Sequence, residues 1–534
     1  MKRVLVVVFT VFNVFIVSGV FNVEKAFAQD HLEILNSDIL YKNSYDARAD
    51  VLVGNVKLKH DRTLLDCDSA RYYKEEGSFN AYGQVKVRQA DTLSLDCDTL
   101  LYDGMSRILH ARGHVVVINR KKTLITHFLD YDRNTGIATY SSGGTLRDGS
   151  TTLTSNYGEH SSHSNEAEFI GDVHILSEKY DIISDRIRYN TETGLVTIVS
   201  PTNIKSEDGM YIYSEDGTYD MNGDRGTLLS GSYVEQNNRH IEGDSLVYDK
   251  TTGFNEAFRN VVVTDEVNKV TLTGHHCWYD ETTGNAMATD SALVIDWSEP
   301  DTVYIHADSL KMFTYNLDTD SVTRVMHAYH KVRMYRQSVQ AVCDSLVSIE
   351  ADSCTYLYGQ PIVWQDKDQI TGEEIRIYNN DSTISWAHVI GQAMTVDRVD
   401  SVSYNQIAGR EIMAYFQKGE IEHNEAHGNV RICYFLDEDD GRRIGMNYSE
   451  STDLSVFMKD RQVDKIWMPS TTGTMYPADK IPDENRYLEG FAWFDSIRPK
   501  DGGDVFRFEQ KEEKYMLKKS IQRDVPLQKL SDIK

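Results

Sequence analysis

Apolar and polar residues alternate through most of this chain, and the alternation reverses at a fixed point in each segment. Leu95 and Cys97 share one parity, whereas Leu100 and Tyr102 further along take the other. Period-2 runs rich in Val, Ile, Thr and Tyr predict β-strands, and a reversal of parity requires a bulge or a corner. No long stretch of residues 31–435 shows the 3.6-residue period of a helix. We therefore predict an all-β fold whose strands run along one sheet, bend, and continue in a facing sheet.

A six-residue fragment recurs about every 30 residues, with a small residue first, an acidic residue usually second and often a tyrosine last. Its clearest copies are CDSARY from residue 67 and CDTLLY from residue 97, and the starts of successive copies up to residue 409 differ by 28 to 37. Such a repeat indicates that each unit adds the same antiparallel element to one stack. We interpret the acidic and tyrosine columns as structural, and their representative members are Asp68, Asp98, Asp185, Asp244, Tyr72, Tyr102, Tyr189 and Tyr248.

Two further sequence fragments recur at fixed places within the repeat. A Gly-x-Val fragment lies between successive copies, as in GNV from residue 54, GQV from 83 and GHV from 113. After several tyrosines comes a turn such as YDRNTG from 131 or YDETTG from 279. In these turns Asp or Asn caps the backbone and Gly accepts a positive φ. At the corner we expect the small residue to fit the bend and its neighbouring Asp to bond free backbone groups.

The first residues are typical of a secretory signal peptide. Lys2 and Arg3 precede an apolar run from Val4 to Phe21, and Ala26-Phe27-Ala28 then provides a small-x-small cleavage site. This order of basic, apolar and cleavage regions predicts a signal peptide over residues 1–28. The mature chain is then expected outside the cytoplasm.

The rest of the chain divides into three parts. The repeat array is assigned to residues 29–435, either as one stack or as two or more stacked modules. Residues 436–505 lose the repeat and carry scattered Pro and Trp, so they either cap the last strand or dock a partner. Capping is preferred because an open sheet edge needs covering. Residues 506–534 form a strongly charged tail.

Composition excludes several functions. The formal charge of -26 repels phosphate backbones and so argues against a nucleic-acid partner. The six cysteines form no CxxC or CxxH cluster, so no zinc site is expected, and Cys343 with Cys354 is the one locally plausible disulfide. No nucleophile elbow, phosphate loop, dinucleotide fingerprint or metalloprotease motif is present. We predict a protein that is not an enzyme and uses no cofactor or metal.

The repeat fragments resemble the OstA/LptA family of periplasmic lipopolysaccharide-transport proteins. The resemblance rests on GNV, CDTLLYD, the YDxxTG turns and the AxGxV return at residues 81–85 and 111–115. It implies an elongated open β-jellyroll whose apolar interior shields acyl chains. It also implies a place in the periplasm, in association with the outer membrane, and head-to-tail contact with other jellyroll components of the transport bridge or with itself. The chain is several-fold longer than a minimal bridge protein and lacks the outer-membrane barrel of the family's large member.

Under this interpretation the cargo is lipopolysaccharide, held by its lipid A acyl chains. The candidate contacts are inward aliphatic residues near the start of the array, namely Val56, Leu58, Val85, Val87, Leu93, Leu95, Val115 and Val117. The same residues also suit a filled core that binds nothing. Two alternatives therefore stay open: a structural or adhesive surface β-solenoid without lipid cargo, and a polysaccharide-cleaving β-helix enzyme.

Overall fold

The computed structural model describes residues 32–507 apart from short gaps, and the residues omitted within that range are 61–62, 90–92, 121, 162, 179, 191–192, 208, 221–222, 224, 237, 250, 318, 320, 381–382, 418–419, 439 and 460–461. The signal peptide predicted for residues 1–28 lies outside the described residues. So does the charged tail from residue 508 onward.

The chain forms two compact units, with the boundary between Val261 and Val262. The predicted all-β antiparallel fold is confirmed, because strands dominate both units and the helical segments among the described residues are single 3₁₀ turns. The strands of unit 1 are β1 (Glu33–Asn36), β2 (Ile39–Lys42), β3 (Ala49–His60), β4 (Thr63–Tyr73), β5 (Ser78–Gln89), β6 (Leu93–Asp103), β7 (Ile108–Asn119), β8 (Lys122–Asp132), β9 (Ile137–Tyr140), β10 (Gly144–Asp148), β11 (Thr151–Ser155), β12 (Tyr157–Ser161), β13 (Glu166–Leu176), β14 (Tyr180–Asn190), β15 (Leu195–Ile198), β16 (Thr202–Ser206), β17 (Tyr211–Ser214), β18 (Asp216–Asp220), β19 (Arg225–Gln236) and β20 (Arg239–Asp249).

Strand β21 (Phe254–Asp265) carries the boundary between the units. The strands of unit 2 are β22 (Val270–Asp280), β23 (Asn285–Asp296), β24 (Val303–Tyr315), β25 (Thr323–Tyr335), β26 (Val339–Ile349), β27 (Cys354–Tyr358), β28 (Ile362–Gln365), β29 (Asp368–Thr371), β30 (Glu374–Asn380), β31 (Thr383–Arg398), β32 (Tyr404–Gln417), β33 (Glu420–Asp437), β34 (Arg443–Lys459), β35 (Gln462–Trp467) and β36 (Thr472–Pro477). The 3₁₀ turns are Ala478–Lys480, Asp483–Asn485, Asp495–Ile497 and Asp504–Phe506.

Each long strand bends near its middle, and the bend changes which side chains face inward. In β4, Leu65 and Cys67 are buried before the bend, and Ala70 and Tyr72 after it, so the inward parity reverses as predicted. We call the strand halves on the Leu65 side arm A and those on the Tyr72 side arm B. Inward residues of both arms pack into one cluster in unit 1. The two arms are therefore the facing sheets of an open β-jellyroll.

The extra residue at each bend lies in the Gly-x-Val fragment of the partner strand. Two residues of β4 lie between Asp66 and Ser69, and three residues of β5 stand opposite them. Gly83 and Gln84 in β5 have φ angles of 75° and 43°, in the left-handed region. Two successive left-handed residues turn the strand sharply, which is the geometry of a bulge that re-aims the side chains beyond it.

The small residue at the start of several repeat fragments donates a hydrogen bond from its side chain to a backbone carbonyl. The Cys67 thiol donates to the carbonyl of Ser69 at 3.3 Å, and the Ser184 hydroxyl donates to the carbonyl of Arg186 at 3.2 Å. The Ser214 hydroxyl makes the same bond to the carbonyl of the residue two positions on, at 2.7 Å. Because the bend takes these carbonyls out of the regular ladder, a small inward donor satisfies them. We expected the neighbouring Asp to bond free backbone groups, but the small residue does so instead.

The acidic residue stands on the outside of the corner, over the glycine of the next bulge. Asp68 covers Gly83, and Asp98 covers Gly113 while its carboxylate bonds His114 Nδ1 at 2.7 Å. The other predicted structural positions lie at equivalent sites: Asp185 is exposed, Asp244 is half-buried, Tyr72 and Tyr189 are buried, and Tyr102 and Tyr248 are half-buried.

The turns that link the arms follow the predicted chemistry. The Asp132 carboxylate accepts the backbone N–H of Asn134 at 2.8 Å, and the Asp280 carboxylate accepts that of Thr282 at 2.8 Å. Gly284 closes the second turn with a φ of 71°. The side-chain cap and the left-handed glycine thus fix the strand register at the ends of the arms.

Residues 478–507, which we call the C-terminal segment, pack on the outer face of arm A in unit 2. Two glutamines hold the segment by its backbone. The Gln406 amide donates to the carbonyl of Arg486 at 2.9 Å and accepts the N–H of Leu488 at 2.8 Å. The Gln369 amide does the same with Ala492 and Phe494. Both glutamines are almost fully buried, so each of these bonds satisfies a group that water cannot reach.

These contacts differ from the expectation for residues 436–505. Regular strands continue to Pro477, so the irregular segment begins at residue 478 and not at 436. The repeat fragments fade there while period-2 alternation persists in β34. The segment covers a sheet face and not the edge of the last strand.

Within residues 32–507, leaving aside the gaps given above, no helix is long and apolar enough to cross a membrane.

A glycine substitution tests the corner geometry. A Cβ on residue 83 would overlap the carboxylate of Asp68, whereas a Cβ on Gly77, also left-handed, meets no atom within 4 Å. Both Gly83→Ala and Gly77→Ala incur backbone strain of about 1 kcal/mol. We expect Gly83→Ala to lower the free energy of unfolding by at least about 1 kcal/mol more than Gly77→Ala, measured by urea unfolding. Equal losses in the two variants would show that the Asp68–Gly83 contact does not shape the corner.

Candidate functional site

The interior between the arms is closed over the first part of unit 1. The residues predicted to contact lipid all lie there, on the inner face of arm A in β3, β5, β6 and β7. Seven of them are at most 8% exposed, and Leu95 is half-buried against the same cluster. Inward residues of arm B, such as Tyr72 and Leu100, fill the space opposite. A side chain with so little free surface has none to offer a ligand, so this stretch, from Leu52 to Tyr189, is a filled core.

The arms separate in the second part of unit 1. Ile182 in β14 is buried, but the equivalent inward residues of the following strands are only half-buried. On arm B the inner face carries Gly217 and Gly226, both buried, and the Tyr219 ring lies over Gly226. We call the half-buried inward residues of β16–β20 the unit 1 trough, and its aliphatic members are Ile204, Ile212, Leu228, Val234 and Ile241.

Unit 2 has a similar opening in β22–β26. At the corner, Ala292, Ala307 and Ala328 are fully buried and form a narrow floor. Away from the corner the inward aliphatic residues are half-buried, which indicates that the arms diverge from this floor. We call these residues the unit 2 trough, and they are Leu272, Val294, Ile305, Met312, Met326 and Met334.

The troughs have the chemistry of an apolar binding surface. None of the residues that define them carries a charge, and the three methionines of unit 2 have flexible side chains that adapt to irregular ligands. Within the described part of the chain, no group of three or more His, Cys, Asp or Glu residues is placed to hold a metal ion. The arrangement can bind an elongated apolar molecule between the arms, with its polar end toward the open rims.

Sequence reasoning missed these positions for an identifiable reason. Leu58 and Ile204 both follow the same inward parity on arm A, yet one is fully buried and the other half-buried. The difference arises from the facing arm, which lies far away in sequence.

The cysteines lie in the protein interior, and their thiols are unreactive. All six are buried and none forms a disulfide. The locally plausible Cys343–Cys354 bridge does not form, because Cys354 pairs with Ile349 at the far end of β26, six residues and roughly 20 Å of strand beyond Cys343. Burial raises the pKa of the Cys67 thiol to about 11 and that of Cys97 to about 12. Thiols so rarely ionised near neutral pH are poor nucleophiles.

A pair of carboxylates lies at the rim of arm A in unit 2. Asp368 of β29 stands opposite Asp397 of β31, both on the inner face. Burial, together with the charge of Asp397, raises the pKa of Asp368 to about 6, although Lys367 nearby acts in the opposite direction. Lys367 also bonds Asp397 at 3.1 Å. The pair continues a rim row in which Asp296 of β23 and Gln365 of β28 are also inward and polar.

The fold defines a β-jellyroll whose facing arms carry half-buried aliphatic residues on their inner faces in both troughs. Residues 29–185 match the family model described as OstA-like protein. The resemblance drawn from the repeat fragments is thereby confirmed over those residues.

Among solved structures, the chain is similar to LptH from Pseudomonas aeruginosa, described as the LptA-homologous periplasmic component of the lipopolysaccharide transport device. The likeness has 17% sequence identity and a TM-score of 0.18, and it covers 20% of this chain and 79% of LptH. No curated protein matches the sequence.

The cysteine environment predicts a simple thiol count. Without reductant, Ellman's reagent should find six thiols in guanidinium chloride and none within minutes in the native protein at pH 8, because all six are buried. Fewer than six thiols in denaturant would reveal a disulfide and contradict the structure.

The carboxylate pair predicts a pH effect on stability. Because the pKa of Asp368 is raised in the folded state, ionising it opposes folding, so the wild type loses stability as the pH rises through about 6. We expect Asp368→Asn to be more stable than the wild type at pH 7.5, by on the order of 2 kcal/mol, and equal to it near pH 3.5. Asp366→Asn, an exposed neighbour, controls for the loss of one charge. A constant difference between pH 3.5 and 7.5 would contradict the assignment.

Proposed function

We propose that this chain is an exported, non-enzymatic lipid carrier that shields the acyl chains of lipopolysaccharide during its transport to the outer membrane. The observation that supports it most is the contrast within one continuous repeat. The inner faces are sealed from Leu52 to Tyr189 but half-buried and aliphatic in both troughs. A purely structural jellyroll gains nothing from leaving such surface accessible to water.

The energetics suit a carrier. Burying apolar surface contributes roughly 25 cal/mol per Å² at best, before the costs of ordering the ligand. Because the contact is non-directional, an acyl chain can move along the trough without breaking specific bonds. The cargo contacts are assigned to the trough residues, such as Ile212 and Ile305, in place of Val56 and its neighbours in the closed stretch. The described residues of these inner faces offer no catalytic constellation, and the OstA-like stretch points to transport.

The proposed setting is the periplasm, after removal of residues 1–28. The proposed partners are other jellyroll components of the transport bridge or a second copy of this chain. The start of unit 1 suits such contact, because β1 and β2 are edge strands with exposed aliphatic residues. Ile39 and Leu40 are both more than half exposed. An uncovered strand edge of this kind pairs readily with another sheet.

A structural or adhesive role without lipid is the second candidate, and the closed core between Leu52 and Tyr189 favours it. The two candidates differ in whether lipid ever reaches the interior.

A photo-crosslinking experiment in cells distinguishes them. A benzoylphenylalanine at Ile212 or Ile305, both inward, should capture lipopolysaccharide because its ring lies in the trough. The matched control is Ile183, an outward residue of arm A that is about half exposed. Adducts at Ile212 and Ile305 but not at Ile183 support the carrier. Absence of lipopolysaccharide from both inward positions, in a protein that remains folded, would reject the carrier in favour of the structural role.

A further inference from the structure

A recurring side-chain contact covers the outer side of several bends in unit 1. It joins an acidic residue of one strand to the second of the two left-handed residues in a neighbouring strand. Asn55 Nδ2 donates to the Asp38 carboxylate at 2.9 Å, and Asn260 Nδ2 donates to the Asp244 carboxylate at 3.2 Å. The contact of His114 described above is of the same kind. Each of these contacts places two side chains over the outer side of a bend.

The bend of β19 lacks this contact. Its two left-handed residues are Ser230 and Gly231, with φ angles of 63° and 68°, so the second position has no side chain to offer. The acidic residue of this repeat fragment, Glu215, accepts a hydrogen bond from the Tyr213 hydroxyl at 2.9 Å instead. A Cβ on Gly231 would meet no atom within 4 Å. The outer groove beside this bend is therefore open.

The open groove is a cleft of about 630 Å³ on the outer face of arm B in β19–β21. Ser245 of β20 pairs with Leu229 of β19, and Phe258 of β21 lines the cleft on the other side. All three residues are half-buried. Because Ser245 is small, the two apolar side chains stand apart with a hydroxyl between them. The volume lies within the range of small-ligand sites, roughly 300–1,000 Å³.

Polar groups complete the lining of the cleft. They are the exposed Ser230 and Arg259 and the half-buried Asp244. An ionised carboxylate accepts up to about four hydrogen bonds, so the Asn260 donor leaves Asp244 capacity for a ligand. Within the part of the chain that the structure describes, no carboxylate pairs with the Arg259 guanidinium. One cation and one anion give the cleft no net charge, which favours a neutral ligand rich in hydroxyls over a phosphate.

We propose that this cleft is a carbohydrate-binding site for a short, neutral stretch of sugar chain. A sugar ring has an apolar C–H face, which packs on side chains such as Phe258 and Leu229. Its hydroxyls donate to a carboxylate and accept from a guanidinium, the groups that Asp244 and Arg259 provide. The cleft lies on the opposite face of the sheet from the unit 1 trough. The proposal therefore does not depend on the binding of acyl chains.

Two sources of such sugar chains exist outside the cytoplasm, the polysaccharide part of lipopolysaccharide and the amino-sugar strands of the cell wall. Isothermal titration calorimetry on the full chain separates them with two probes. One probe is a neutral O-polysaccharide released from lipopolysaccharide by mild acid, and the other is a tetramer of N-acetylglucosamine. The probe that binds identifies the source.

Alanine substitutions in the cleft test whether the sugar binds there. We expect Phe258→Ala and Arg259→Ala each to weaken binding at least about tenfold, because each removes a group that contacts the sugar. Arg225→Ala removes an exposed charge of β19 outside the cleft and should bind as the wild type does.

Gly231→Asn closes the cleft without removing any lining side chain. Asn tolerates the left-handed conformation and restores the residue that the second bend position carries at Asn55. We expect unchanged circular dichroism and a loss of affinity of at least about tenfold. Binding of neither probe by the wild type, or unchanged affinity in Gly231→Asn and both alanine variants, would overturn the site.

Discussion

The whole molecule depends on one backbone constraint, the bend at which each strand changes its buried face. Two left-handed residues, such as Gly83 and Gln84, turn one strand, while a small donor such as Cys67 satisfies the carbonyl that the bend releases in its neighbour. The left-handed turn needs the side-chain donor, because without it the bend would bury a carbonyl that has no hydrogen-bond partner. Since the bend recurs with each repeat, it makes two facing arms from a single series of antiparallel strands. The distance between the two arms decides whether the interior is a filled core or an accessible apolar surface.

The exposure of the inner face varies along the array although the backbone pattern does not. Tyr72, Leu100 and Tyr189 fill the space between the arms in the closed stretch, whereas inward residues of β16 and β17 such as Ile204 and Ile212 stay half-buried. In unit 2, alanines at the corner bring the arms together at the floor while longer side chains above them diverge. The same repeat therefore builds both a filled core and an accessible apolar surface. Function can change along the array without any change of fold.

Much of this architecture could be predicted from the sequence, because its causes are local. The turns at Asp132 and Asp280, the reversal of parity after Cys97 and the antiparallel order all arise within one repeat. The position of the unit 1 trough could not be predicted from the sequence. Leu58 and Ile204 follow the same inward parity on arm A, and their burial differs because different residues of arm B face them. On β31–β34 the outer face is apolar beneath the C-terminal segment, and the sequence leaves one readable sign of this. From Val430 to Phe435 most residues of both parities are apolar, which is typical of a strand covered on both faces. Neither the covering segment nor its glutamine contacts could be foreseen, since they join residues 80 and 123 positions apart.

The bonds of the C-terminal segment also set an order of folding. Neighbouring strands close loops of a few residues, so unit 1 can form strand by strand as the chain emerges from the ribosome or a translocation pore. Arg333 of β25, by contrast, is buried and donates to the carbonyl of Ile497, 164 residues later. Until that residue arrives, a buried guanidinium and an apolar outer face have no cover. Unit 2 thus completes its packing only after the C-terminal segment has been synthesised.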